Sequence, residues 1–161
     1  MTTFQVEHVD LATPHTYEHA TELLIRLVPR ADPAELTSLV KAHAPREEVE
    51  AMMKRRAGEL GILIMTSLDQ GPVISLLGAP RKLALYVIGS PFLGAKLFAE
   101  HRSAGLYAPA HVTLYEHEDG KAHVAYDKPS TLLSQYGASE LGLAFDTKLA
   151  ALGEQLTRVS G

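Results

Sequence analysis

Cysteine is absent from this chain of 161 residues, and that removes disulfides, thiolate metal sites, covalent haem attachment and redox CxxC chemistry together. It also fits a reducing compartment. A surplus of positive charge is absent too: 15 Lys and Arg stand against 19 Asp and Glu, for a net charge of −4. A nucleic-acid-binding face needs clustered cations, so no nucleic-acid partner is expected. Long apolar runs are missing as well. The longest nearly uncharged stretch, Gly71–Pro80, is interrupted by glycine and proline and is far too short to span a bilayer. The opening residues, MTTFQVEHVDLATPHTYEH, have no basic n-region, so neither a signal peptide nor a membrane anchor is expected, and a cytoplasmic location is. No Walker loop, GxGxxG, GxSxG or HExxH occurs, and no cofactor or metal is expected.

What remains is ordinary globular material, 46% apolar and 21% charged, at a length that suits one domain over residues 1–161. Phe4–Leu11 alternates like a strand. A helix is expected from about His15 to Leu27, a second from Asp32-Pro33, and a third from Pro45 with Val49, Met52, Met53 and Leu60 inward. GILIMT at Gly61–Thr66 is predicted as a central strand, Leu68–Pro80 as loop with one helical turn, and Leu83–Ile88 as another buried strand. Ser90 is placed to cap a helix over Pro91–Glu100. Asp119-Gly120 signals a hairpin with a type I′ turn, Pro129 starts a short helix closed by Gly137, and Ser139–Leu156 carries the stripe Leu141, Phe145, Leu149, Leu152, Leu156. Together these predict an α+β fold, a mixed or mainly antiparallel sheet of about five strands packed against helices on one side.

Several groups could carry chemistry, and each has a plainer structural account. The Gly89-Ser90-Pro91 junction opens a helix, whose N-terminal N–H groups can hold an anion; ordinary capping by Ser90 explains the same residues. Asp69 in the Asp69-Gln70-Gly71 turn could serve a ligand or anchor an Asx-turn. Tyr107, His111, Tyr115, His117, His123, Tyr126, Asp127 and Lys128 gather around the hairpin. A two-residue loop there sets Glu116 opposite His123 and puts Tyr115, His117, Val124 and Tyr126 on one face. Tyr126, Asp127 and Lys128 could surround one ligand, although Asp127 could equally cap the helix that follows. His15 and His19, four apart among eight histidines, lack a third ligand at fixed spacing. The basic run Lys54-Arg55-Arg56 reads as a solvated helix face.

YVIGSP at Tyr86–Pro91, AGLYAP at Ala104–Pro109, VTLYEHEDGKAHVAYD at Val112–Asp127 and DKPSTLLSQYG at Asp127–Gly137 follow one another in a distinctive order. The chain resembles the domain-of-unknown-function 302 family in these words, and more loosely in PRADPAEL and GILIMTSLDQG. The resemblance implies a compact α+β domain, commonly homodimeric, and supplies no reaction. This chain departs from it where Gln70 replaces the usual histidine, removing proton transfer near neutral pH, and where Ser90 replaces a frequent asparagine. His111 also stands where the family usually has arginine or another residue. A homodimer that binds a small molecule or anion at Asp69, Gly89, Ser90, Tyr107, His111, Tyr126, Asp127 and Lys128 is one reading. A small enzyme using acid–base chemistry around Tyr126, Asp127 and His111 is the second, and a structural subunit acting through an interface the third.

Overall fold

In a computed structural model, which describes residues 3–78 and 81–159, the strands β1 (His8–Ala12), β2 (Leu63–Asp69), β3 (Leu83–Gly89), β4 (Ala110–Glu116) and β5 (Ala122–Asp127) form one sheet. Its order is β1-β5-β4-β3-β2, and every neighbouring pair is antiparallel. With helices α1 (Tyr17–Leu27), α2 (Pro33–Lys41), α3 (Arg46–Arg56), α4 (Gly71–Ser75), α5 (Pro91–Glu100), α6 (Pro129–Leu133) and α7 (Ser139–Thr157), the fold is α+β. α1 and α7 pack against the sheet.

The alternation of strand side chains decides what meets those helices. Tyr86, Ile88, Val112, Leu114, Val124 and Tyr126 point inward and form the main core with Leu24, Phe145, Leu149, Leu152 and Leu156. Each such side chain contributes about 1.5–3 kcal/mol by leaving water. The stripe predicted on α7 is therefore the helix's buried face, with Leu141 half-buried near its start. Asp32 caps α2 as expected: its Oδ1 accepts from the N–H groups of Ala34 (3.0 Å) and Glu35 (3.3 Å). Gly137 ends the α6 segment in the left-handed region, with φ at 71°.

Four local expectations change. β1 begins at His8, because its partner β5 ends at Asp127 and the residues before His8 face no strand. β2 lies at the sheet edge, not its centre; its buried start is covered by the Pro29–Ala31 segment, which bonds to both sides of Ile64. β2 runs on through Asp69, two residues into the expected loop, and α4 is the one helical turn expected there; residues 79 and 80 lie outside the described ones. The hairpin loop holds three residues: His117 N–H donates to the Lys121 carbonyl (2.8 Å), and Tyr115, not Glu116, faces His123. Only Gly120 in that turn has a positive φ, 78°, whereas a type I′ turn needs two. The one-residue shift sends Val124 and Tyr126 inward and Tyr115 and His123 outward.

Candidate functional site

Beside the main core sits a smaller one, made by Leu97, Ala104, Leu133 and Ala138 with Tyr107, Tyr136 and Leu141 packed against it. Between the two lies a pocket of about 370 Å³. α3 supplies Met52 and Met53, β2 supplies Leu63 and Met65, α5 supplies Leu93, Leu97 and Phe98, and α7 supplies Leu141 and Phe145. Gly89 and Ser90 form part of the wall where β3 passes into α5. A side chain at Gly89 would fill space there, since a Cβ would stand 3.3 Å from Pro109 and 3.5 Å from Met65. Ser90 is buried and occupies the N-cap position, yet its side chain makes no capping hydrogen bond.

The ionisable residues lining this pocket are Asp32, Glu35 and Arg56, at its mouth. Arg56 Nε donates to Glu35 Oε2 at 2.6 Å, and its Nη2 lies 3.8 Å from Asp32 Oδ2. Arg56 stays exposed, as expected of the basic run, and also bridges α3 to α2.

Of the other residues singled out in the sequence, those outside the Tyr115, His117 and His123 group are dispersed. Tyr126 is buried in the core, where burial first and then the charge of Asp146 push its phenol up. Asp127 alternates to the opposite side of β5; its Oδ1 lies 2.8 Å from His8 Nδ1, its side chain is 46% exposed, and it does not cap α6. Lys128 is exposed to solvent as a charge and pairs with Glu7. His111 is exposed on the outer face of β4. Tyr107 packs edge-on against Phe4, 5.8 Å between centroids, and joins the smaller core. Asp69 is the Asx-turn anchor, its Oδ1 accepting from Gly71 N–H at 3.0 Å. His15 precedes α1 and places Nε2 3.1 Å from the Arg158 carbonyl. Among the described residues no group of three or more potential metal ligands comes together. Nor is any described helix long and apolar enough to cross a membrane.

On the outer face Tyr115, His117 and His123, which the two-residue loop would set on opposite faces of the hairpin, come together with Asp10, the member that sequence reasoning missed. Tyr115 donates to Asp10 Oδ2 (2.5 Å), and His123 Nδ1 lies 2.9 Å from Asp10 Oδ1 with the His117 ring stacked 4.5 Å from its own. Burial opposes the Asp10 charge, but hydrogen bonds from Tyr115 and His123 outweigh it and hold that carboxyl below its usual range. Burial and the bond to Asp10 push the Tyr115 phenol up to about 12.

Compared with known families, residues 38–159 match the one described as domain of unknown function DUF302. The chain belongs to the DUF302 family. A solved structure, that of an uncharacterized conserved DUF302 protein from Bacillus stearothermophilus, superposes with a TM-score of 0.64 at 14% identity. The match covers 92% of this chain and 97% of that one, and at such identity it speaks for the DUF302 fold alone. None of the curated proteins compared with the chain matches it.

Proposed function

We propose that this DUF302 protein is a homodimeric small-molecule-binding protein that holds an apolar ligand in the pocket between α3, α5 and α7. The observation that carries the reading is the pocket itself: about 370 Å³ of space walled by methionine, leucine and phenylalanine. That volume falls within the range of ligand sites. A void on this scale forfeits dispersion contacts, and a ligand restores them. The anion reading of Gly89-Ser90 draws less support, because Pro91 removes one donor and the walls beyond are apolar. Acid–base chemistry draws less still, since Tyr126 faces the core while Asp127 and His111 face outward.

The dimer rests on a separate observation. Leu68 on β2 is 58% exposed, and Val73, Leu76 and Leu77 on and after α4 are 67%, 83% and 91% exposed. Such a patch beside an edge strand suits a contact with a second copy. Light scattering is expected to give a dimer that Leu76→Asp with Leu77→Asp converts to a monomer; a monomeric unsubstituted protein overturns this part.

Binding is tested with N-phenyl-1-naphthylamine, an uncharged probe that brightens in apolar surroundings. Saturable brightening is expected with the unsubstituted protein. Ala95→Trp, at an exposed position on the pocket wall, is expected to weaken it at least tenfold without lowering Tm. No saturable binding to the unsubstituted protein overturns the reading.

A further inference from the structure

We infer that the pocket selects against anionic ligands and takes an apolar body that ends in an amine or another hydrogen-bond donor at the mouth between α2 and α3. The inference rests on the pocket reading above and adds the charge of the ligand to it. The mouth carries two carboxylates, Asp32 and Glu35, and one guanidinium, Arg56. Glu35 already accepts from Arg56 Nε at 2.6 Å, and Asp32 Oδ2 stands 3.8 Å from Arg56 Nη2. An incoming carboxylate that reaches the Nη hydrogens of Arg56 lies beside two like charges, Glu35 and Asp32. An ammonium or hydroxyl instead finds acceptor oxygens in place. A carboxylate has room for more than one donor, and Glu35 uses Oε2 for Arg56.

The depth of the pocket points the same way. Below the mouth the walls are Met52, Met53, Leu63, Leu97, Leu133 and Phe145, without a charge among them. A charged group carried inward would lose its hydration and gain no partner. The polar end therefore stays at the mouth, and the uncharged part goes in. By comparison with a benzene-sized cavity, this volume takes on the order of a dozen heavy atoms. Mouth side chains that are 32–46% exposed keep water beside them, so the discrimination is moderate and salt-dependent.

The test is competition against bound N-phenyl-1-naphthylamine by decylamine, decanol and decanoate at pH 7, all below their micelle-forming concentrations. The tail is constant and only the head changes. Decylamine is expected to compete best and decanoate worst, by roughly threefold to tenfold. The gap is expected to narrow when salt is raised. Glu35→Gln, which removes one carboxylate and frees Arg56, is expected to improve decanoate and weaken decylamine. Glu35 makes no capping bond of its own side chain to α2, where Asp32 supplies the cap, so the helix start is preserved. Decanoate competing as well as decylamine overturns the charge inference and leaves the apolar pocket standing. A gap that Glu35→Gln leaves unchanged overturns the role assigned to the mouth. Failure of the naphthylamine probe to bind at all overturns the pocket reading, and this inference with it.

Discussion

Helix α7 shows two opposite ways of meeting the rest of the chain. Along one seam it approaches so closely that a Cβ on Gly142 would stand 2.3 Å from the Ser130 Cα, and one on Gly153 would stand 2.7 Å from a Leu11 methyl. Near the same end, Leu141 and Phe145 border a space of about 370 Å³. Looseness is therefore not a general property of this small domain. One stretch of helix packs without a methyl group to spare while its neighbouring residues line an open pocket, so the pocket is local and specified by the side chains around it.

Substitutions can sharpen that contrast. The largest effect belongs to the core that both regions share. Leu149→Ala, at a side chain 1% exposed, is expected to cost about 2–5 kcal/mol in chemical denaturation. Next comes the seam, where Gly142→Ala must push backbone against backbone and is expected to cost about 1–3 kcal/mol. The same change on the pocket side reverses sign. Gly94 lies within α5 and a Cβ there would meet only Phe98, at an ordinary 3.5 Å; Gly94→Ala is expected to gain about 0.5–1 kcal/mol through helix propensity. A loss at Gly94 equal to that at Gly142 would erase the distinction.

The smallest effect lies on the outer face. Asp10 has a folded-state pKa below its ordinary 3.8, so its contribution is present above that value and fades as pH falls through the lowered one. Asp10→Asn is expected to lower stability by less than about 1 kcal/mol at pH 7, because solvent screens the site. Denaturation midpoints of the two proteins are expected to converge in strong acid. A difference that persists there would mean that packing, not charge, sets the role of Asp10.

Local signals are legible in the amino-acid sequence. The Asp32-Pro33 and Ser90-Pro91 pairs mark helix starts because a proline at the first helical position, joined in α2 by the Asp32 cap, acts locally, and the α7 stripe marks a buried face because its period is that of a helix. The hairpin register is not legible there. Asp119-Gly120 suits both a two-residue and a three-residue loop, and the choice between them turns every side chain of one strand over relative to its partner. The Asp10 cluster needs the pairing of β1 with β5, which no short-range pattern encodes. The pocket is hidden for a further reason. Its walls come from segments between Ala31 and Phe145, and what defines it is the volume they leave, not a residue type. Arg56 shows the cost of reading a helix alone: as part of Lys54-Arg55-Arg56 it resembles any solvated cation, and only the arrival of α2 gives it two carboxylates.

The sheet order has a consequence in time. β1 leaves the ribosome first, but its partner is β5, and Asp10 must meet a histidine 113 positions later. Until then the chain's opening segment has no strand to join, while β2 through β5 can pair in sequence as they emerge. Closing so long a loop is slow and follows the formation of more local contacts. β1 is in this sense a clasp. It holds His8–Ala12 against the strand that leads into α6 and α7.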